Sequence, residues 1–341
     1  MIGLTLLYGA FLVLAITLVG LVKATAEPNQ KQNCLPTTFI VPFKNEVERL
    51  RPLINSLNQS KWFDQFEVIF VDDHSSDTSC EFILNELDIP FTIIRSLNTP
   101  GKKQAIAEGV YHAQHEHIHT LDADVSFGED YLESIAKLPL SDLTILPVEL
   151  TGTSLFEQLN SIEFQWLQTF TFALARLKQA TLCNGANLSF SKTAFLATLP
   201  QRTDFNLASG DDVYLLSAIL KNKGVIAANA NPHLAVQTPA PATFKTLISQ
   251  RQRWIKKVLN LPTIIVILLY ALYHTLPLLF LFNIDYHLLW AAPLALKILA
   301  EWVLSRNHTI KQFGLMVLHQ GWYLVYGVLL LRSLGRTVRW K

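Results

Sequence analysis

Glu67-Val68-Ile69-Phe70-Val71-Asp72-Asp73-His74-Ser75-Ser76-Asp77 is the stretch that decides how this chain is read. Glu67 to Val71 is a β-rich run of strand length, the residues after it are acidic and hydroxyl-bearing, and Thr78 to Leu87 then reads as a helix. A strand, a polar turn and a helix in that order form the repeating unit of an α/β domain with a mostly parallel sheet.

The same unit recurs on either side. Thr37 to Val41 is a second β-rich run, followed by Pro42-Phe43-Lys44-Asn45-Glu46 and a helix-like stretch from Glu46 to Asn58. Phe91 to Arg95, Ile118 to Leu121 and Leu143 to Pro147 continue the strand series. In open sheets of this kind ligands bind beyond the carboxyl ends of the strands, so the polar residues placed there are the first candidates for chemistry. Acidic groups gather at that edge: Asp72, Asp73 and Asp77 after one strand, Asp122 and Asp124 after another. Each alone has a plain structural reading, and Ser76 or Asp77 is expected to cap the helix that follows. Asp122 and Asp124, however, alternate to the same side of the chain, where two carboxylates without a countercharge repel. A divalent cation, Mg or Mn, resolves that conflict, because both ions combine one or two carboxylates with substrate phosphate oxygens.

The succession Val41-Pro42-Phe43-Lys44-Asn45-Glu46, Val71-Asp72-Asp73-His74-Ser75, Gly101-Lys102-Lys103-Gln104-Ala105, Asp122-Ala123-Asp124, Gly185-Ala186-Asn187, Gly210-Asp211-Asp212 and Gln250-Arg251-Gln252-Arg253-Trp254 resembles the family 2 glycosyltransferases of GT-A fold. The resemblance implies a Rossmann-like α/β domain over 36–257 and an inverting transfer from a nucleotide-sugar donor. It implies that Asp72, Glu46 and the backbone near Pro42 line the nucleoside pocket, that Lys102 lies near the donor, and that Asp124 with Asp122 holds the metal on the diphosphate. Asp212 matches the general base. Asp211 departs from the commoner Glu of the family, which puts its own role in doubt. Gln250, Arg253 and Trp254 match the Gln-x-x-Arg-Trp element of membrane-embedded polymer synthases and ceramide glucosyltransferase-like enzymes, with Arg253 serving the diphosphate. Arg supplies a cationic donor fork for phosphate and Trp a flat face for sugar or lipid. A plainer reading is that Arg251, Arg253, Lys256 and Lys257 anchor the apolar stretch that follows them.

Of 341 residues, 50% are hydrophobic, more than a soluble protein usually carries. The excess lies at the two ends. Ile2 to Val22 is uncharged and long enough to span a bilayer. A cleaved signal is the competing reading, since Ala24-Thr25-Ala26 resembles a cleavage site, but no Lys or Arg precedes the run. Residues 1–23 are therefore expected to be an anchor, and Lys23 and Lys31 after it place the domain in the cytosol. Leu261 to Phe282 and Phe313 to Leu331 are further uncharged runs. Tyr286 to Leu304 between them carries Pro293, and also Lys297 and Glu301, which stand four apart and can pair on one helical face. A membrane region over 258–332 is expected to hold two or three hydrophobic segments; three spans would leave the basic tail 333–341 outside, whereas two full spans with one re-entrant or interfacial segment return it to the cytosol.

The formal net charge of +1 gives no footprint for nucleic acid, and 3 scattered cysteines make no disulfide framework or zinc site. His112, His115, His117 and His119 run across a helix end into a strand, so they do not converge on one point. Leu155 to Leu177 is apolar and aromatic over much of its circumference and packs either as core or against a membrane. The expected partners are thus a nucleotide-sugar donor and a lipid or other membrane-associated glycan acceptor. A processive polysaccharide synthase is the nearest rival, although a translocating channel needs more spans, and a non-catalytic scaffold is a third.

Overall fold

The computed structural model describes residues 33–61, 64–97, 99–205, 207, 210–259, 287–304 and 309–333. The expected spans Ile2–Val22 and Leu261–Phe282 and the basic tail lie outside these residues. The strands are β1 (Thr37–Phe43), β2 (Phe66–Asp72), β3 (Thr92–Arg95), β4 (His117–Leu121), β5 (Leu143–Ile145), β6 (Val148–Thr151), β7 (Asn187–Ser191), β8 (Ile226–Ala228) and β9 (Val236–Pro239). The helices are α1 (Arg51–Gln59), α2 (Ser79–Glu86), α3 (Lys102–His112), α4 (Tyr131–Ala136), α5 (Leu155–Arg176), α6 (Lys192–Thr198), α7 (Asp211–Lys221), α8 (Phe244–Leu259), α9 (His287–Leu304) and α10 (Ile310–Ser333).

The chain divides into two compact units. Among the described residues, one comprises those within 33–149 and 174–239; the other comprises 150–173, 240–259, 287–304 and 309–333. The first is built on a 7-stranded sheet of order β3-β2-β1-β4-β7-β5-β8. β1 pairs in parallel with β2 and β4, β2 with β3, and β5 with β8, as the alternating pattern predicts. β7 is the exception and runs antiparallel to both β4 and β5. Every residue of β1 is buried, because helices cover both faces of a parallel sheet. Gly109 lets α3 approach closely: a Cβ there would stand 2.6 Å from Ile40 Cγ2 and 3.2 Å from Val71 Cγ2.

The first helix begins later than the expected Glu46, at Arg51, with Pro52 in its first turn. Proline is well suited to that turn, where its missing N–H would have no partner, and residues 46–50 form a separate turn ahead of it. Asp77 does support the next helix start, since its Oδ1 accepts from the Ser79 N–H at 3.1 Å. The clustered histidines are structural. His117 Nδ1 bonds Thr37 Oγ1 at 3.1 Å, while His119 lies between Ser189 Oγ at 2.7 Å and Tyr131 Oη at 3.0 Å. Burial pushes His117 down to about 4 and His119 well below its ordinary value, so both are neutral.

In the other unit α5 buries Phe164, Trp166, Phe170 and Phe172, at most 9% exposed, which settles these side chains as core. Phe156, Phe244 and Trp322 form an aromatic cluster joining α5, α8 and α10, with centroids 4.8 to 5.5 Å apart. Lys297 and Glu301 pair at 2.7 Å as their spacing predicts, and Gln320 of α10 bonds both. No helix among the described residues is long and apolar enough to cross a membrane. That includes α10, which holds the expected span Phe313–Leu331 and buries His319 and Gln320 in its middle.

Candidate active site

Register brings the candidate residues of the first unit to one edge. Phe43 lies opposite Asp72 across β1 and β2, and Leu121 opposite Asn187 across β4 and β7. The segments leaving β1, β2 and β4 therefore share the edge with Gly185 and Ala186, which enter β7. It is also the edge at which the strand order reverses about β1, the usual position of a ligand crevice in such sheets.

Two loops at this edge are braced against each other. Asn45 N–H donates to Ser75 Oγ at 3.1 Å, Asn45 Oδ1 accepts from Ser76 N–H at 2.8 Å, and Glu46 N–H donates to Ser79 Oγ at 2.9 Å. Asn45 and His74 both adopt left-handed backbone, with φ of 53° and 61°. Asn tolerates that region through its short polar side chain. Asp72 and Asp73 are 3% exposed. Asp72 Oδ1 accepts from Ser75 N–H at 2.7 Å, and Asp73 Oδ1 accepts from Gly101 N–H at 2.8 Å. Pro42 is buried within β1 opposite Val71, so it presents backbone, not side chain, to the edge.

Charge converges beyond β4. Lys102 Nζ lies 2.6 Å from Asp122 Oδ1 and 2.9 Å from Asp211 Oδ2, joining the end of β4 to the start of α7. Burial alone would lower its affinity for the proton, but these two carboxylates outweigh it and hold the ammonium above its usual range. Arg49 NH1 stands 3.3 Å from Asp124 Oδ2, and its NH2 pairs with Glu46. Asp122 and Asp124 thus each have a countercharge, a correction to the premise that they stand alone. Burial and the neighbouring Asp122 still raise Asp124 above the usual carboxylate range. Burial, and then Asp124 and Asp122, push Glu46 up to about 7 against the pull of Arg49.

These residues suit a hard divalent cation. Asp122 and Asp124 offer carboxylate oxygens, and Glu46 Oε2 beside them is buried with no hydrogen-bond partner among the described residues. No group of 3 or more His, Cys, Asp or Glu side chains among those residues is arranged to hold a metal alone. Mg and Mn need no such cage when phosphate oxygens complete the shell.

Asp211 and Asp212 open α7 behind Gly210, which is left-handed at φ 93°. Gly185 leaves room for them, since a Cβ there would collide with Asp211 Oδ2 and stand 3.4 Å from Lys102 Nζ. Asp212 is 6% exposed; its Oδ1 accepts from Val213 N–H at 2.8 Å and its Oδ2 from Gly185 N–H at 3.3 Å. Both carboxylates line a small cavity with Lys103, Arg202, Thr120 and Phe195.

Residues 38–185 match the family model described as Glycosyl transferase family 2. The chain carries a glycosyltransferase domain. Dolichyl-phosphate beta-glucosyltransferase of Trichomonas vaginalis is 32% identical over 120 residues, which are 32% of this chain and 35% of that protein. The matched stretch is thus about a third of the length of that curated relative. A mannosyltransferase of Pyrobaculum calidifontis, solved in complex with GDP-Man and Mn2+, shares the fold with a TM-score of 0.53 at 17% identity, over 97% of this chain and 98% of that one.

Within the first unit the structure brings together Glu46, Asp72, Lys102, Asp122, Asp124 and the pair Asp211 and Asp212. Gln250, Arg253 and Trp254 belong to the other compact unit, on α8. There Arg251 is 3% exposed, pairs with Glu163 at 2.6 Å, donates from NH1 to Gln250 Oε1 at 2.9 Å and stacks 4.1 Å over the Trp254 ring. Arg251 is a core residue and not part of a basic lipid anchor. Phe164 backs Trp254 with centroids 5.6 Å apart. Sequence reasoning missed Arg49, although its position three residues after Glu46 in a turn is a signal for such a pair. Lys103, Arg202 and Asp204 were also missed.

Proposed function

We propose that this chain is an inverting glycosyltransferase that moves one sugar from a nucleotide-diphosphate sugar to a lipid or other membrane-associated acceptor, with its catalytic domain at the cytosolic face of a membrane. The observation that carries the reading is the Lys102 bridge between Asp122 and Asp211, which couples the donor-side carboxylates to the pair that faces the acceptor. Asp72 and Asp73, fixed by Ser75 and Gly101, line the nucleoside side of the crevice. Asp122 and Asp124 would hold the cation, whose contribution when bound is to neutralise charge on the diphosphate. As an acceptor hydroxyl forms its bond to the anomeric carbon and the bond to the diphosphate breaks, Asp212 takes the hydroxyl proton. Asp211 is engaged with the Lys102 ammonium. One displacement inverts the anomeric centre. The lipid acceptor is supported by the name of the Trichomonas relative and by the apolar runs at both chain ends.

The test is to incubate membranes containing the protein with a panel of radiolabelled nucleotide sugars and separate lipid-extractable from polymeric product. A lipid-extractable glycoside is expected. Polymeric product would instead establish the processive synthase, and no incorporation from any donor would overturn the enzymatic reading.

A further inference from the structure

Lys102 and Lys103 are consecutive at the start of α3, yet their side chains serve different partners. Lys102 reaches Asp122 and Asp211. Lys103 is 4% exposed, and its Nζ lies 2.9 Å from Asp204 Oδ2, 2.6 Å from the Asp204 carbonyl oxygen and 4.6 Å from the centre of the Tyr214 ring. Arg202 grips the same carboxylate in a two-point contact, Nε to Oδ1 at 3.0 Å and NH2 to Oδ2 at 2.8 Å. Its guanidinium stacks 4.7 Å over Phe205. Gln104 Nε2 donates to the Phe205 carbonyl at 3.0 Å.

Asp204 precedes the Asp211 and Asp212 pair, and Tyr214 follows it on α7. Two adjacent lysines of one helix therefore contact three residues around the acidic pair: Asp204, Asp211 and Tyr214. We propose that Lys103 is a positioning residue, which through Asp204 and Tyr214 sets where the carboxylates of Asp211 and Asp212 stand. Two cations and one carboxylate buried together pay a desolvation cost that apolar residues of similar size avoid, so stability alone is a weak reason for the cluster. Its geometry supplies a better one. The bidentate Arg202 contact and the two separate Lys103 contacts to Asp204 leave that residue little rotational freedom. A displacement of about 1 Å at a reacting group costs up to roughly 100-fold in rate. The cations are engaged with Asp204 already, which argues for an internal brace and against a phosphate site here. The catalytic meaning of the brace rests on the proposed glycosyltransferase reading; its physical content does not.

The experiment uses the full-length protein in detergent and compares wild type with Lys103→Met and Gln104→Ala. It reads hydrogen exchange along the chain, binding of UDP and of GDP with Mn2+ by calorimetry, and turnover of the donor found active. Faster exchange confined to residues 204, 205 and 210–214 is expected in Lys103→Met, with a smaller rise in Gln104→Ala. Nucleotide affinity should be unchanged while kcat falls roughly 10- to 100-fold. Unchanged exchange at residues 204, 205 and 210–214 would overturn the proposal, as would a rise spread over the whole unit with nucleotide binding lost in step. If Lys103→Met does not fold, Gln104→Ala decides by the same readouts. If the wild type turns over no nucleotide sugar, the glycosyltransferase reading fails, and the exchange measurement still decides whether Lys103 positions the pair.

Discussion

Lys102 holds Asp122 and Asp211 at 2.6 and 2.9 Å with one ammonium, so the end of β4 and the start of α7 are joined by a single side chain. Lys102→Met should leave two carboxylates facing each other without their cation. Breaking a largely buried pair of this kind costs about 3 kcal/mol, and the thermal midpoint should fall accordingly. Turnover should be lost at the same time. An unchanged midpoint together with normal turnover would show that the bridge carries neither stability nor chemistry.

Chelation should abolish transfer, and added Mg or Mn should restore it. Asp124→Ala should be inactive yet fold normally, because its described partner, Arg49, is exposed enough to be satisfied by water. Full activity in excess chelator removes the cation from the mechanism.

Asp212→Asn keeps the size of the side chain but does not accept the acceptor proton. Turnover should drop by roughly 10² or more with donor affinity little altered. The resemblance implies that Arg253 serves the diphosphate, and on that expectation Arg253→Ala should differ by weakening both donor affinity and rate. Near-normal turnover in Asp212→Asn with a dead Asp211→Asn would assign the base to Asp211.

Glu46 gives a pH signature. Its carboxyl, near 4.5 in the unfolded chain, is raised by burial and by Asp124 and Asp122 to about 7 in the fold. The folded state therefore binds the extra proton between these values, and stability present below pH 4.5 is lost as pH rises through about 7. Glu46→Gln, measured with chelator present, should flatten this window and stabilise the protein at pH 8 by on the order of 2 kcal/mol. Identical pH profiles of the thermal midpoint for variant and wild type would show that Glu46 ionises normally.

Protease added to intact cells or right-side-out vesicles should leave residues 36–257 uncut. Digestion from outside would place the domain on the opposite face.

The parallel half of the sheet was legible because its strands are short apolar runs closed by polar turns, and the acidic edge followed from their order. β7 was not: Asn187-Leu188-Ser189-Phe190-Ser191 alternates like a half-exposed strand, yet it is fully buried because Asn187 and Ser189 find partners in Tyr131 and His119. Asp122 and Asp124 were found by spacing, whereas their cations were not. Lys102 stands 20 residues from Asp122 and Arg49 stands 75 from Asp124, and contacts that distant leave no local pattern. The same holds for Lys103 and Asp204, 101 residues apart. The anchor reading of Arg251 stayed open as an alternative because charge beside an apolar run is ambiguous until its partner, here Glu163, is known.

The brace between Asn45 and the serines that follow β2 makes the two loops a single exchangeable cassette. Transplanting only the segment after β1 from another such enzyme would strip Ser75 and Ser76 of their partner and leave His74 in a left-handed bend with less to hold it. An exchange of either loop should therefore carry 43–47 and 73–79 together. By the same reasoning, drift at Asn45 in a lineage should be answered by drift at Ser75 or Ser76, so that the two loops evolve as one unit.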